Sequence, residues 1–392
     1  MALTMGFEMI NEEVEETVGL IRRGYQREVI LNKIQKICFN KERLFEIAKC
    51  RIKAKKKFGE LADKLFFDEE GLRYATPPVV ARYRAERLKC KRIADVSCGV
   101  GVQLIFFSKY AEYAVGVERN PFRAELARLN AAAMDCNNLA VMKGDAFDKK
   151  IIEKLDVDCV FSDPSRLPQE KIRRLETLQP NPIKIYRLYH EKTSRIAFEL
   201  PPQISQENII IEGEKEYTSL DFRLNRLALY TGELATCNVS AVSLPTKETV
   251  TDQHEYVELN ESDKVLDYLY EVDSTVTKAN LLGNLAGKIG FEVSLVQSSK
   301  RRTLLTSNVL HKSAFLRTYL VKETCDFNVN IIHKTLREVD AKKATLRFEI
   351  KTRDYWRFRK RLEADLTGDK HVYLFKIGDK AVITEPLKHV FG

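Results

Sequence analysis

Between about Asn11 and Phe66, apolar side chains recur at three- to five-residue intervals: Val14, Val18, Ile21, Tyr25, Val29, Ile34 and Ile37. That spacing lines one face of a helix, with charges of alternating sign around it. No proline occurs before Pro77, so a helical region is expected over residues 1–75. The stretch Gly71–Pro78, GLRYATPP, breaks the pattern. Val79–Leu88 then predicts a short amphipathic helix.

From Arg92 onward, short apolar runs alternate with helix-period segments. Strands are expected at Ile93–Val96, Tyr113–Glu118, Leu139–Lys143, Val157–Ser162 and Arg195–Leu200, and helices at about Gln103–Tyr110, Pro121–Met134 and Lys149–Leu155. A segment punctuated by Pro168, Pro180 and Pro182, then another helix, separates the last two strands. Such alternation predicts an α/β fold, a parallel sheet with helices on both faces and a ligand at the carboxyl ends of its strands. Strand-like runs follow at Cys237–Leu244 and Tyr256–Leu259, and a helix at about Thr275–Ile289. The end of the chain reads as a small α+β module. It has strand-like runs at Asn328–Ile332, Ala344–Ile350, Val372–Ile377 and Ala381–Thr384, and one helix, Asp354–Leu366, DYWRFRKRLEADL. The expected domains are 1–75, 76–322 and 323–392.

Composition then narrows the classes. The 392 residues are 44% hydrophobic and 31% charged, as in a soluble protein with ample core. No apolar run approaches the ~20 residues that span a bilayer, and the opening MALTMGFEMINEEVEE lacks a basic stretch followed by an apolar one. A cytoplasmic protein with no membrane partner is expected. The net charge of +9 favours an anionic partner, nucleic acid first. Eight cysteines and six histidines are scattered without C-x-x-C or metal-ligand spacing, so neither disulfides nor a metal are expected. The basic run Arg51–Lys57, RIKAKKK, is compatible with a solvated helix face or with nucleic-acid contact.

The chemistry concentrates where strands end. The first runs into Asp95 and the small-residue turn Ser97, Cys98, Gly99 and Gly101, before an apolar helix. Such a turn lets backbone approach a ligand closely. The second ends at Glu118, 23 residues past Asp95, where an acid can accept hydrogen bonds from ribose hydroxyls. Asn120-Pro121 follows as a helix start. The third is followed by Gly144-Asp145-Ala146-Phe147, and the fourth by Asp163-Pro164-Ser165-Arg166. Singly, Glu118 is also compatible with charging a helix N-terminus, Asp145 with capping a helix and Asp163-Pro164 with a plain turn. The four in order point to one nucleotide-type site.

D-x-x-C-G-x-G, V-G-V-E, G-D-A and D-P-x-x in this order resemble a Rossmann-like, class I methyltransferase dependent on S-adenosylmethionine, over Thr76 to about Leu259. Leu104 stands where a dinucleotide fingerprint has its third glycine. The resemblance implies a mostly parallel sheet with an antiparallel edge strand. It implies Glu118 as ribose ligand, Asp145 and Phe147 at the adenine, and Asp95 at the methionine end, with Thr76, Cys98, Gly99 and Gly101 also on the cofactor. In amino-methylating relatives an Asp/Asn-Pro-Pro-aromatic tetrapeptide holds the attacking nitrogen; here Asp163 and Pro164 match, while Ser165 and Arg166 depart.

Arg51-x-Lys53-Ala54-x-x-Lys57-Phe58-Gly59, Ala75-Thr76-Pro77, Arg84-Ala85-x-Arg87-Leu88 and the run Tyr268–Glu271 are similar to a subfamily with a helical leader and a C-terminal THUMP-like domain. THUMP domains accompany RNA-modifying enzymes, so the resemblance implies methylation of a nucleobase nitrogen in RNA, tRNA first and rRNA second. A small-molecule methyltransferase and a non-catalytic RNA-binding protein are the alternatives. Arg51, Lys53 and Lys57 are then expected to touch substrate. So are Arg357 and Arg361 on the Asp354–Leu366 helix, whose other reading has Trp356 in the core and its charges in water. Cys159, inside a strand, is expected to be structural.

Overall fold

The computed structural model describes residues 2–34, 39–165, 174–290, 292–299 and 301–387. Ile37, Pro168 and Arg166 lie outside the described residues. The chain divides into two units, one of Met1–Lys215 with Leu227–Thr236, the other of Glu216–Arg226 with Cys237–Gly392.

The first unit begins with helices Ala2–Arg22, Arg27–Lys33 and Lys41–Phe58. The third starts where Asn40 accepts the Arg43 N–H at 2.9 Å, an ordinary N-cap. Its buried positions, Leu44, Ile47, Ala48, Arg51, Ala54 and Phe58, follow helical spacing. Behind it stands a five-stranded parallel array: β1 (Cys90–Asp95), β2 (Ala111–Glu118), β3 (Leu139–Lys143), β4 (Cys159–Ser162) and β5 (Ile196–Leu200). The spatial order is β3-β2-β1-β4-β5. β4 and β5 are buried at every position, as strands covered on both faces must be. Strand Leu224–Tyr230 then runs antiparallel on β5, with Leu200 opposite Leu227 and Ala197 opposite Tyr230. The fold is the Rossmann-like α/β type expected.

One buried apolar cluster continues from Val14 and Val18 through Phe66 to Ile93, Phe107 and Phe161, so helices and sheet share a core. Two buried polar devices fix their positions. Asn130 gives its amide N–H groups to the Phe66 and Val100 carbonyls at 2.9 and 2.8 Å and accepts the Phe66 N–H at 2.7 Å. Arg84, fully buried on helix Pro78–Arg87, pairs with buried Glu199 of β5, and Arg87 reaches Glu214 at 2.5 Å. The arginines of the R-A-x-R-L motif thus act as internal ties.

In the second unit, Val239–Leu244 pairs antiparallel with Glu248–Thr251. A seven-stranded sheet follows, in the order Ser294–Ser298, Thr303–Ser307, Tyr268–Val272, Leu316–Asp326, Lys380–Pro386, Lys370–Ile377, Ala341–Leu346. Three sequence expectations need correction. Tyr256–Leu259 forms no strand. It lies against Gly283 and Gly287 of helix Leu282–Ile289, where a Cβ would come within 2.4 Å of Tyr256 and 2.1 Å of Glu255. The expected helix over Thr275–Ile289 is two helices, Ser274–Lys278 and Leu282–Ile289, because Asn280 takes a left-handed φ of 59°. Asn328–Ile332 opens a helix, Val329–Glu338: Asn328 caps it by accepting the Asn330 N–H at 2.9 Å, and Ile332, Thr335 and Leu336 are buried at helical spacing. No helix among the described residues is long and apolar enough to cross a membrane.

Candidate active site

At the carboxyl ends of β1 to β4, where strand order reverses about β1, lies a cavity of about 570 Å³. Such a reversal leaves a crevice that helices do not fill. Asp95, Glu118, Asp145 and Asp163 all line it, with Thr76, Cys98, Gly99, Phe147 and Ser165. Gly101 and Pro164 are buried and do not line it.

The turn after β1 depends on two left-handed glycines, Gly99 at φ 54° and Gly101 at φ 81°. Gly101 packs on Ala127, where a Cβ would stand 3.0 Å from the alanine Cβ. Over Gly99 the space is open, with no atom within 4 Å of a built Cβ. Glu118 fastens this turn to the next: Oε2 accepts the Gly99 N–H at 2.9 Å and Oε1 the Asn120 N–H at 2.7 Å. Asn120 itself caps helix Pro121–Ala133. Asp145 is not the helix cap; it accepts the Phe147 N–H at 2.9 Å, while Asp148 caps Lys149–Lys154.

Asp95 is almost fully buried. Burial pushes its carboxyl well above the usual range, an acceptor bond from the Ser97 N–H at 3.1 Å opposes this, and the nearby charges of Asp163 and Glu118 add to the rise. Ser97 also accepts the Asp163 N–H at 2.8 Å through its hydroxyl, which lies 3.1 Å from the Ser162 hydroxyl. One serine thereby joins the glycine turn to the Asp163 loop. That loop is held from the other side by Gln179. The Ser165 N–H donates to the Gln179 carbonyl at 2.7 Å, and the Gln179 N–H returns to the Ser165 carbonyl at 2.9 Å.

Several lining residues were not anticipated from sequence. Glu70, Gly71 and Tyr74 come from helix Glu69–Tyr74, and Arg123, Glu176, Gln179, Asn181 and Lys184 complete the rim. Arg123 binds Asp68 at 2.8 Å and also Glu70, fixing the short helix beside the glycine turn. The signal that marks the rim is Asn181-Pro182. It repeats Asn120-Pro121, and Asn181 caps helix Pro182–Tyr189 by accepting the Lys184 N–H at 3.0 Å.

The two basic stretches fare differently. Arg51 is buried against Phe66, with its guanidinium donating to Asn11 at 2.9 Å and Glu15 at 2.7 Å. Its expected contact with substrate is therefore withdrawn. Lys53 lies 3.5 Å from Glu69, and the Lys57 ammonium donates to the Leu72 carbonyl at 3.2 Å. Arg357 and Arg361 face solvent on helix Thr352–Leu362. Cys98 and Cys159 are buried: burial raises the first thiol, and a hydrogen bond with Cys90 together with burial raises the second. Neither suits a nucleophile.

The chain has relatives of this architecture. No family model matches it. It is 25% identical over 312 residues to an uncharacterized S-adenosylmethionine-dependent methyltransferase of Mycobacterium tuberculosis, present in strains CDC 1551 and H37Rv, covering 76% of this chain and 82% of that protein. The crystal structure of a putative methyltransferase from Porphyromonas gingivalis W83 superposes with a TM-score of 0.76 at 18% identity, over 97% of this chain and 98% of that one. The likeness of fold to that protein thus extends over nearly the whole chain.

Proposed function

We propose that this chain is an S-adenosylmethionine-dependent methyltransferase whose acceptor is a nucleobase nitrogen in RNA, tRNA first and rRNA second. The observation that carries the cofactor assignment is the convergence of Asp95, Glu118, Asp145 and Asp163 on one cavity with an open hollow over Gly99. Glu118, already oriented by two N–H groups, offers its remaining lone pairs to ribose hydroxyls. Asp145 and Phe147 border the adenine, and Thr76, Asp95, Cys98 and Gly99 border the methionine end, with Gly101 shaping the turn that carries them. The bound cofactor supplies an electrophilic methyl group on a sulfonium, and the ring of carboxylates suits that cation.

Transfer of this kind asks the protein for alignment and exclusion of water more than for acid–base power. Asp163 accepts hydrogen bonds from the attacking nitrogen. Its backbone is immobilised by Ser97, and Ser165 is clamped to Gln179. Arg166 stands where amino-methylating enzymes carry the aromatic ring, and its planar guanidinium is assigned to stacking on the base or pairing with a phosphate. A stacked base cannot reach a buried donor, so the target is flipped or single-stranded. Residues 323–392 serve as a THUMP-like RNA-binding module in which Arg357 and Arg361 contact phosphates. The helical leader of residues 1–75, with Lys53 and Lys57, belongs to the same arrangement.

Nucleoside mass spectrometry of RNA from cells with and without the gene tests the substrate. One methylated base should disappear, and unchanged RNA would contradict the assignment. Asp163→Ala should abolish transfer while leaving cofactor affinity intact; full turnover would move catalysis to another group.

A further inference from the structure

Trp356 is the sole tryptophan of the chain, and it is 70% exposed. A single exposed apolar side chain is ordinary on a protein surface; what sets this indole apart is the group of cations on the same helix face. The helix that carries it, Thr352–Leu362, meets its packing needs without it. Leu362 is fully buried, and Phe358 stacks on Phe327 at 6.2 Å and meets Phe348 edge-on at 5.8 Å. At helical spacing, Arg353, Trp356, Arg357 and Lys360 fall on the opposite arc, with Arg361 at its edge. All four of these cations face solvent, and Asp354, at the margin, pairs with Arg353 at 3.6 Å and Arg357 at 3.0 Å.

The indole is braced by its own helix. Tyr355 meets it edge-on at 5.3 Å, and the Arg359 guanidinium, bonded to Glu363 at 2.9 Å, lies 5.8 Å from the ring. An exposed aromatic plane set among cations fits one occupant, a nucleobase whose strand's phosphates engage the neighbouring charges. A membrane or an apolar protein partner would call for further apolar side chains on that arc, and it holds none.

We infer that this helix face binds single-stranded RNA by stacking one unpaired base on Trp356, with Lys360, Arg361, Arg353 and Arg357 on the flanking phosphates. The inference rests on the RNA-acceptor reading above and adds how the strand is gripped.

Because Trp356 is unique, its fluorescence reports the contact directly. The full-length chain is titrated with a single-stranded RNA oligonucleotide, with S-adenosylmethionine affinity measured on the same preparation. The expected result is saturable quenching in the wild type and, by anisotropy of a dye-labelled oligonucleotide, affinity lowered about tenfold or more in Trp356→Ala and less in Trp356→Phe, while melting temperature and cofactor affinity stay unchanged. RNA binding that leaves the emission and the Trp356→Ala affinity unaltered would overturn the stacking role. Emission that responds to anionic vesicles and not to RNA would overturn it in favour of a membrane contact. RNA binding undiminished in Trp356→Ala, with cofactor binding intact, would sink this proposal alone; no RNA binding with cofactor binding intact would sink the RNA-acceptor reading with it; quenching by RNA without cofactor binding would sink the methyltransferase reading alone.

Discussion

Helix Lys41–Phe58 and helix Thr352–Leu362 carry similar runs of cations, Arg51–Lys57 and Arg353–Arg361. In the first, Arg51 is 2% exposed and held by Asn11 and Glu15, Lys53 sits near Glu69, and Lys57 caps the backbone carbonyl of Leu72. In the second, Arg353 and Arg357 meet Asp354 and Arg359 meets Glu363, all acids within four residues, while Lys360 and Arg361 face water beside an exposed tryptophan. A cation run therefore acquires its meaning from the acids and carbonyls that tertiary structure brings to it. Those partners lie 36 residues away in the Arg51–Glu15 pair, beyond the reach of a local pattern.

This contrast can be broken by experiment. The largest expected effect is on folding: Arg51→Ala strips a buried charge from its partners and should cost about 2–4 kcal/mol in denaturant unfolding. A fully stable Arg51→Ala with weakened RNA binding would return Arg51 to the substrate surface. Next, Lys360→Ala with Arg361→Ala should lower RNA affinity about tenfold at moderate salt and flatten the log-affinity against log-salt slope by about 0.7 for each phosphate no longer neutralised. Stability should stay within about 0.5 kcal/mol.

Burial sets charge inside the pocket too. Asp95 holds its proton to higher pH when folded than the ~3.9 of an unfolded chain. The folded state then binds more protons than the unfolded one above that value, so stability falls as pH rises towards the folded pKa. Asp95→Asn should remove that fall from a pH series of thermal melts; an identical slope would assign it to another group. The smallest effect is expected from Lys53→Ala, a surface pair worth less than about 0.5 kcal/mol. If it weakens RNA binding as much as the Lys360 and Arg361 changes, the two helices are not different in kind.

The pocket was more legible than its surroundings. β1 to β5 and the helices between them announce themselves by periodicity, and each polar residue at a strand tip stands where chain direction must change. Topology alone then brings Asp95, Glu118, Asp145 and Asp163 together. The rim was not legible in the same way. Gln179 reaches Ser165 by backbone bonds across 14 residues, and Arg123 reaches Asp68 across 55, pairings that no local spacing encodes. Asn328–Ile332 read as a strand because its two isoleucines are β-branched, and the cap at Asn328 decided for helix. The exposure of Trp356 depended on Phe358 and Leu362 having taken the core positions first.

The central claim is that the strand tips form one adenosyl-sulfonium site. Calorimetric titration of the wild-type chain and of Glu118→Ala with S-adenosylmethionine tests it most directly. Stoichiometric binding by the wild type, weakened about tenfold or more in the variant, is the predicted result. No binding by the wild type, or equal affinity in both, would contradict it.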